Sequence, residues 1–176
     1  MRRLSWLAAL VPALSWTPVS ALEIVESVFQ VTFTRDGTEY VLNDPAVPLL
    51  PENTCYSWYL RATETDAPVR FVERFTLSEA IDWGTTGESP DDVTRLEEAG
   101  KVAVTTIDMT TDEQGWFSHG WCVAEGDPAG DHLIEVSVDG DALVSFPFQV
   151  LAADDYSFPV THVVTGRTAR TVTDSW

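Results

Sequence analysis

Apolar and polar residues alternate with a period of two along most of this chain, which is the pattern of strands with one buried face. Phe29, Val31 and Phe33 share one parity near the beginning of the chain. Two Asp-Gly pairs, at 36–37 and 139–140, separate such stretches and are typical of tight hairpin turns. The pattern predicts strands over residues 23–34, 38–42, 54–62, 68–77, 102–109, 116–124, 132–138 and 142–150.

A hairpin and an insertion are predicted in the middle of the chain. Residues 54–62 and 68–77 are joined by a short polar link and are expected to pair as a hairpin. The stretch 78–100 breaks the alternation. Within it, Ser89-Pro90-Asp91-Asp92 supplies a hydroxyl cap, a first-turn proline and acids at the positive end of a helix dipole. We therefore expect one short helix, from Pro90 to Ala99, inside a long inter-strand insertion.

Strand signals at this spacing, with scarcely any helix, predict an all-β fold. The expected architecture is a β-sandwich of about seven to eight strands with one short helix in an inter-strand insertion. Residues 43–53 hold three prolines and are expected to form a loop or an edge crossing.

The end of the predicted sandwich resembles the final hairpin of immunoglobulin-like and fibronectin-like domains of exported bacterial proteins, over the stretch AGDHLIEVSVDGDALVSFPFQV. In those domains a Pro-x-Gly-x-aromatic corner opens the penultimate strand. Here the corner is Pro128-Ala129-Gly130-Asp131-His132, and His132 stands where the family has Tyr. The resemblance implies an immunoglobulin-like strand order, in which residues 54–62 and 116–124 are strands B and E of one sheet and residues 101–109 are strand D. It implies no particular function, because this fold serves many.

The amino terminus is typical of an export signal. Arg2 and Arg3 precede an apolar stretch, and Val19-Ser20-Ala21 supplies the small residues that signal peptidase requires. The alternative is an uncleaved membrane anchor, although prolines interrupt the segment. We expect a signal peptide over residues 1–21, a sandwich over residues 22–150, and a tail or edge strand over residues 151–176 with a mobile end. The mature protein is then periplasmic or secreted, with no membrane insertion.

The charge is strongly negative. The full chain has 10 basic and 28 acidic residues and a formal net charge of −18, and loss of Arg2 and Arg3 would bring it to −20. This balance argues against a nucleic-acid partner, since that function needs clustered Lys and Arg. A well-hydrated surface is the simplest interpretation, and the alternative is the binding of a cation or of a basic partner.

The two cysteines, Cys55 and Cys122, form the single intramolecular pair that an exported chain of this composition allows. In the immunoglobulin-like order Cys55 begins strand B and Cys122 ends strand E, so antiparallel pairing places them opposite each other. Their parity is opposite to that of Tyr56 and Trp121, and the disulfide is therefore expected on the outer side of one sheet. A redox-active pair is the alternative, but the chain has no Cys-x-x-Cys motif.

A row of arginines is the clearest local anomaly. If residues 54–62 pair with residues 68–77 as a hairpin, one face carries a set of side chains suited to a carboxylate, a phosphate or an acidic glycan: Tyr59, Arg61, Arg70 and Arg74. Like charges across a hairpin repel unless an anion offsets them. The alternative is ion pairing with Glu64, Asp66 or the acidic insertion.

Two further side chains are out of place in the pattern. Glu73 shares the inward parity of Phe71 and Phe75, so it either marks a pocket or is turned outward by a bulge, which we expect. Trp83 lies in the insertion and is a candidate either for stacking on a ligand or for docking the insertion on the sandwich.

Metal and catalytic signals are weak. Between residues 102 and 166 there are acids but no Lys or Arg, and a structural calcium site has four weak candidates: Asp127, Asp131, Asp139 and Asp141. His119, His132 and His162 have no zinc spacing, and no nucleophile elbow or phosphate loop is present. We expect no metal and no cofactor.

The sequence therefore predicts a monomeric, exported, non-enzymatic domain that binds an unknown protein or glycan, or acts as an accessory subunit. The alternatives are a secreted hydrolase that uses a carboxylate pair and a calcium-stabilised structural module.

Overall fold

Two β-sheets contain nearly all of the regular structure. The computed structural model of the protein describes residues 22–63, 67–83, 93–138 and 141–159. These described residues form ten strands and one 3-10 turn. The strands, in chain order, are β1 (Ile24–Arg35), β2 (Thr38–Leu42), β3 (Ala46–Leu49), β4 (Thr54–Ala62), β5 (Val69–Thr76), β6 (Val93–Glu97), β7 (Val102–Met109), β8 (Trp116–Cys122), β9 (Gly130–Val138) and β10 (Asp141–Ala152).

Four of the strands form one sheet and the other six form the second sheet. The first sheet has the order β2-β1-β4-β8 and the second has the order β3-β10-β9-β5-β7-β6. All the pairings are antiparallel except that of β3 with β10. Strands β2 and β8 are the two edges of the first sheet.

The core lies between the sheets and is rich in aromatic rings. Tyr56 and Trp58 point inward from β4, as their parity predicted, and are at most 4% exposed. Phe71 and Phe75 point inward from β5, also with almost no exposure. The rings of Tyr56 and Phe148 in β10 have centroids 4.9 Å apart, which joins the two sheets directly. Such pairs stabilise beyond the area they bury.

The architecture is an immunoglobulin-like β-sandwich, as predicted. Strands β1, β4 and β8 take the positions of A, B and E in one sheet, and β5, β9 and β10 take those of C, F and G in the other. The last two strands pair antiparallel with Asp141 opposite Val138, although the predicted Asp139-Gly140 turn lies outside the described residues.

The predicted hairpin of residues 54–62 with residues 68–77 is wrong. Strand β4 pairs with β1 and β8 in the first sheet, whereas β5 pairs with β7 and β9 in the second. The chain therefore crosses from one sheet to the other between them. Alternation could not distinguish the two arrangements, because the same side chains are buried in both.

The predicted helix from Pro90 to Ala99 is also wrong over its described part. Residues 93–97 are strand β6, which pairs with β7, and Thr94 shares a 3.1 Å hydrogen bond with Thr105. The only helical element that the described residues contain is the 3-10 turn Glu98–Gly100. Ladder pairing with a neighbouring strand outweighs the local preference that a cap and a proline express. The capping residues 89–92 lie outside the described residues.

Strand β7, which was expected as D, lies beside β5 in the second sheet rather than with B and E. The predicted loop at residues 43–53 contains strand β3, whose Val47 is fully buried and lies opposite Val150 of β10. Together with β6, these two strands widen the second sheet to six strands, and β8 becomes one edge of the first.

The described chain continues beyond the predicted sandwich boundary. Strand β10 extends to Ala152, and Tyr156 is buried against Phe33, with ring centroids 5.8 Å apart. The predicted signal peptide at residues 1–21 and the predicted edge strand in the tail lie outside the described residues. No helix in the part of the chain that the structure describes is long and apolar enough to cross a membrane.

Candidate functional site

The disulfide lies where it was predicted. Cys55 of β4 and Cys122 of β8 are directly opposite each other and are bonded, with a sulfur–sulfur distance of 2.00 Å. Their neighbours Tyr56 and Trp121 point between the sheets, so the disulfide lies on the outer face. The bond cross-links the edge strand β8 to its neighbour β4.

Glu73 is buried in the core and does not turn outward. It has no exposed surface, and the ladder runs without a bulge through Glu73, which lies opposite Thr105 and Val136. One carboxylate oxygen accepts hydrogen bonds from Trp58 Nε1 at 2.5 Å and His119 Nδ1 at 2.9 Å. The other oxygen accepts from Trp121 Nε1 at 2.6 Å. The expected bulge is therefore wrong, and the carboxylate stays inside because three donors satisfy it.

The register of the first sheet brings these donors together. Trp58 of β4 lies opposite His119 of β8, and Trp121 is two residues further along the same face. All three belong to the first sheet, whereas Glu73 belongs to the second. The carboxylate thus joins the two sheets across the core beside the β8 edge.

A pocket of about 890 Å³ opens beside this edge. Its rings come from both sheets and from the segment after β5: Tyr56, Phe75, Trp83, His119, Trp121 and His132. Three carboxylates also line it. Asp82 and Glu125 are exposed and Asp127 is half-buried, which places acidic groups on the solvent side of an aromatic wall.

The aromatic wall is a packed cluster of Phe75, Trp83 and Trp121. The centroids of the two indoles are 5.6 Å apart at 68°, and Phe75 lies 5.6 Å from Trp121 and 6.0 Å from Trp83. Trp83 Nε1 donates to the carbonyl oxygen of Gly100 at 2.6 Å. Because Trp121 Nε1 is bonded to Glu73, both indole N–H groups are used within the protein, and ring carbon is what these side chains offer to the pocket.

Gly100 fixes the position of Trp83. The φ of Gly100 is +92°, and a Cβ at this position would lie 2.3 Å from the carbonyl oxygen of Ile81. Only glycine accepts both the left-handed backbone and this close approach. The segment after β5 therefore packs against the beginning of β7, which brings Trp83 to the pocket.

His132 lies at the corner that opens β9. Its Nε2 lies 3.1 Å from the carbonyl oxygen of Pro128, four residues earlier, in the manner of the tyrosine corner of immunoglobulin-like domains. Since a carbonyl oxygen only accepts, Nε2 carries the proton. Burial lowers the pKa of His132, and Nδ1 has no hydrogen-bond partner among the described residues. The ring is therefore neutral at neutral pH.

The predicted arginine row is divided between the two sheets. Arg61 lies on the first sheet, 3.2 Å from Glu26, while Arg70 and Arg74 lie on the second. Tyr59 packs against the Trp116 ring on the first sheet, at 6.4 Å. The four side chains do not form one face, because the hairpin on which the row depended does not exist.

Each of these arginines has an acidic partner. Two hydrogen bonds join Arg70 to Asp108, at 2.6 and 2.8 Å, and they lower the pKa of Asp108. Arg74 contacts Glu97 at 2.7 Å and Glu98 at 3.2 Å. The partners of Arg74 lie in the acidic insertion, as the alternative interpretation had it. Of the residues predicted to form a ligand or partner surface, Trp83 lies in the pocket, which is also lined by the weak calcium candidate Asp127.

The weak calcium candidates are not gathered at one point in the described chain. Asp127 accepts a hydrogen bond from the backbone N–H of Ala124 at 2.8 Å, and Asp131 accepts one from Gln149 at 3.1 Å. Asp141 is exposed at the beginning of β10, and Asp139 lies outside the described residues. Within residues 22–63, 67–83, 93–138 and 141–159, no group of three or more His, Cys, Asp or Glu could hold a metal ion.

The sequence interpretation missed the pocket itself. By parity, His119 and Trp121 share the inward face of their strand and Phe75 shares that of Glu73, which predicts core positions but no pocket. The sequence did contain a signal for this arrangement. An acidic side chain of inward parity needs hydrogen-bond donors, and the inward Trp residues of other strands can supply them through their indole N–H groups. Parity alone does not show which of them meet.

The chain belongs to the PM0630 beta sandwich domain family, whose model matches residues 27–151. The chain is also similar to an immunoglobulin-like protein, PA1606, from Pseudomonas aeruginosa, with 12% identity and a TM-score of 0.47 over 77% of this chain and 100% of that one. A second similar structure is the alkylpurine DNA glycosylase AlkC from Pseudomonas fluorescens, bound to DNA containing an abasic site analog. It has 14% identity and a TM-score of 0.34, over 73% of this chain and 30% of that one. At these TM-scores neither likeness carries an argument about function. No curated protein matches the chain.

Proposed function

We propose that the protein is an exported, non-enzymatic binding domain whose ligand occupies the pocket beside β8. The observation that carries this proposal is the pocket of about 890 Å³ with its wall of Phe75, Trp83 and Trp121. Small-molecule sites are concave, of this order of volume, and lined by aromatic side chains with a few polar groups.

The hydrogen bonds at the back of the pocket support binding rather than catalysis. Glu73 is fully buried, and both of its oxygens accept hydrogen bonds from side chains of the opposite sheet. A carboxylate held in this way fixes Trp121 and His119 in place. A general acid or base has to reach the proton of a substrate, and Glu73 has no surface with which to do so.

The disulfide supports export. A bond between Cys55 and Cys122 forms and persists in an oxidising compartment, which agrees with the export signal predicted for residues 1–21. We therefore place the protein in the periplasm or outside the cell.

A thermal-shift screen tests the proposal with a blocked pocket as its reference. Ala124 lines the pocket and is exposed, so Ala124→Trp should fill the pocket without disturbing the core. Ala153, which is exposed in the turn after β10, provides the matched control Ala153→Trp. A panel of sugars, organic anions, organic amines and amphiphiles is screened against all three proteins.

We expect at least one class of compound to raise the Tm of the wild type and of Ala153→Trp, but not that of Ala124→Trp, because a ligand that binds the native state stabilises it. Equal stabilisation of the blocked variant, or no stabilisation by any class, would contradict the proposal.

A further inference from the structure

Among the described residues that line the pocket, the charged side chains other than histidine are all acidic. Asp82, Glu125 and Asp127 line it, and none of the described lining residues is Lys or Arg. The two histidines do not offset these acids. The pKa of His132 is lowered by burial, and any charge on His119 would be matched by the carboxylate of Glu73 at 2.9 Å. A cleft with one sign of charge and low-dielectric walls concentrates ligands of the opposite sign.

The wall of the pocket is suited to the apolar part of a cation. Trp83 and Trp121 offer ring surface, with the buried Phe75 packed behind them, and the negative faces of aromatic rings attract ammonium groups, those of Trp most strongly. Trp121 also donates its N–H to a buried carboxylate 2.6 Å away, which adds negative potential at the edge of the ring.

We propose that this pocket binds an organic cation, in which an ammonium group faces the carboxylates and an apolar body packs on the aromatic wall. The inference rests on the proposed function, which makes the pocket a ligand site, and it adds the chemical class of the ligand. An organic anion would be repelled by three carboxylates. A neutral glycan would use the rings but would gain nothing from the uniform negative charge.

Isothermal titration with a matched pair of probes tests the charge. Choline and its neutral isostere 3,3-dimethylbutan-1-ol have nearly the same shape, so their difference reports the positive charge alone. We expect choline to bind about tenfold more tightly than the isostere in low salt, and benzyltrimethylammonium to bind more tightly than choline because its ring adds apolar contact. Added NaCl should weaken choline binding, since exposed carboxylates are screened.

Paired variants test the location. Asp127→Asn removes a pocket charge and keeps an oxygen for the Ala124 N–H, while Asp131→Asn makes the same change outside the pocket. We expect Asp127→Asn to weaken benzyltrimethylammonium binding about threefold relative to Asp131→Asn. Trp83→Leu should weaken it about tenfold, and Trp116→Leu, on the outer face, should leave it unchanged. The two Asp variants keep the test valid if Trp83→Leu does not fold.

The outcomes separate this inference from the proposed function. If the neutral isostere binds as well as choline, or if only sugars or anions stabilise the protein through the open pocket, the cation inference is overturned while the binding function stands. If the cations bind Ala124→Trp as well as the wild type, they bind elsewhere and the cation inference fails. If no class of compound stabilises the wild type, the proposed function fails and the inference fails with it.

Discussion

At the scale of single residues, Glu73 joins the two sheets through hydrogen bonds across the core. Its carboxylate accepts hydrogen bonds from two indoles and an imidazole of the opposite sheet, and it has no contact with solvent. Once it is removed, the indole donors of Trp58 and Trp121 lose their acceptor inside the protein. The pocket wall depends on it too, because Trp121 is one of its three rings.

We predict that Glu73→Ala lowers the free energy of unfolding by about 3 kcal/mol or more, since it leaves two indole donors unsatisfied and opens a cavity. Glu73→Gln retains one carbonyl oxygen as an acceptor, so its free energy of unfolding should fall by less than that of Glu73→Ala. Urea unfolding measures both. Glu135→Ala is the control, because Glu135 is an exposed acid on the neighbouring strand. An unchanged midpoint for Glu73→Ala would mean that these hydrogen bonds contribute nothing net.

The histidine at the β9 corner makes stability depend on pH. Burial lowers the pKa of His132 in the folded protein below its ordinary value of 6.5. The unfolded state therefore takes up the proton first, so the stability that the neutral ring confers is present above pH 6.5 and is lost as the pH falls below it.

We predict that the Tm of the wild type falls more steeply between pH 7.5 and 5.5 than that of His132→Tyr. Tyrosine does not titrate in this range. Its hydroxyl can donate to the carbonyl oxygen of Pro128, as the tyrosine of the corner in immunoglobulin-like domains does. Calorimetry at a series of pH values gives the two slopes. Identical slopes would show that His132 is not the group responsible.

At the scale of elements, the edge strand β8 contributes both to the pocket and to the disulfide. It pairs on one side with β4, its inward residues His119 and Trp121 line the pocket, and the disulfide joins its end to β4. Gly120 shows how closely it approaches its neighbour, because a Cβ there would lie 2.6 Å from the carbonyl oxygen of Tyr56. Among the described residues no strand pairs with β8 on its other side, and the pocket opens along this edge.

We predict that replacing both cysteines by Ala lowers the free energy of unfolding by up to about 4 kcal/mol, because the cross-link closes a loop with a sequence separation of 67. Denaturant unfolding with and without a reductant is the measurement. The reductant should destabilise the wild type and have no effect on the double variant. A reductant effect on the double variant would point to some other cause.

The local pattern of apolar and polar residues predicts which side chains of a strand point inward, but it does not predict which strands pair. Parity placed Tyr56, Trp58 and Trp121 inward, and the strand order placed Cys55 opposite Cys122, because both depend on the period of two. The partner of a strand is a long-range property that alternation does not contain, which is why the hairpin of β4 and β5 was expected and does not form. Strand β6 was missed because its partner β7 decides its conformation. The donors of Glu73 come from another sheet, so only the tertiary structure identifies them.

At the scale of the whole molecule, the excess of acids acts on both stability and recognition. The formal net charge is −18, and repulsion among like charges opposes the compact state. The arginines of the described surface are engaged by acids, as Arg70 is by Asp108 and Arg74 by Glu97. Acids outnumber Lys and Arg by 28 to 10 in the sequence, so the field is negative, and the charged residues among the described pocket lining share its sign.

We predict that the Tm rises as NaCl is increased from low to physiological concentration, because screening relieves the repulsion more than it weakens exposed ion pairs. Sucrose at matched osmolality is the control for effects that are not electrostatic. A Tm that falls with salt would show that the ion pairs outweigh the repulsion.

The most direct test of the pocket as a cation site is the set of indole N–H resonances in two-dimensional proton–nitrogen NMR spectra during a titration with benzyltrimethylammonium. Trp83 and Trp121 lie in the pocket wall, whereas Trp116 lies on the outer face beside Arg61. Saturable shifts of the Trp83 and Trp121 resonances, with Trp116 unchanged, are the predicted result. Shifts of Trp116 alone, or none at saturating probe, would contradict it.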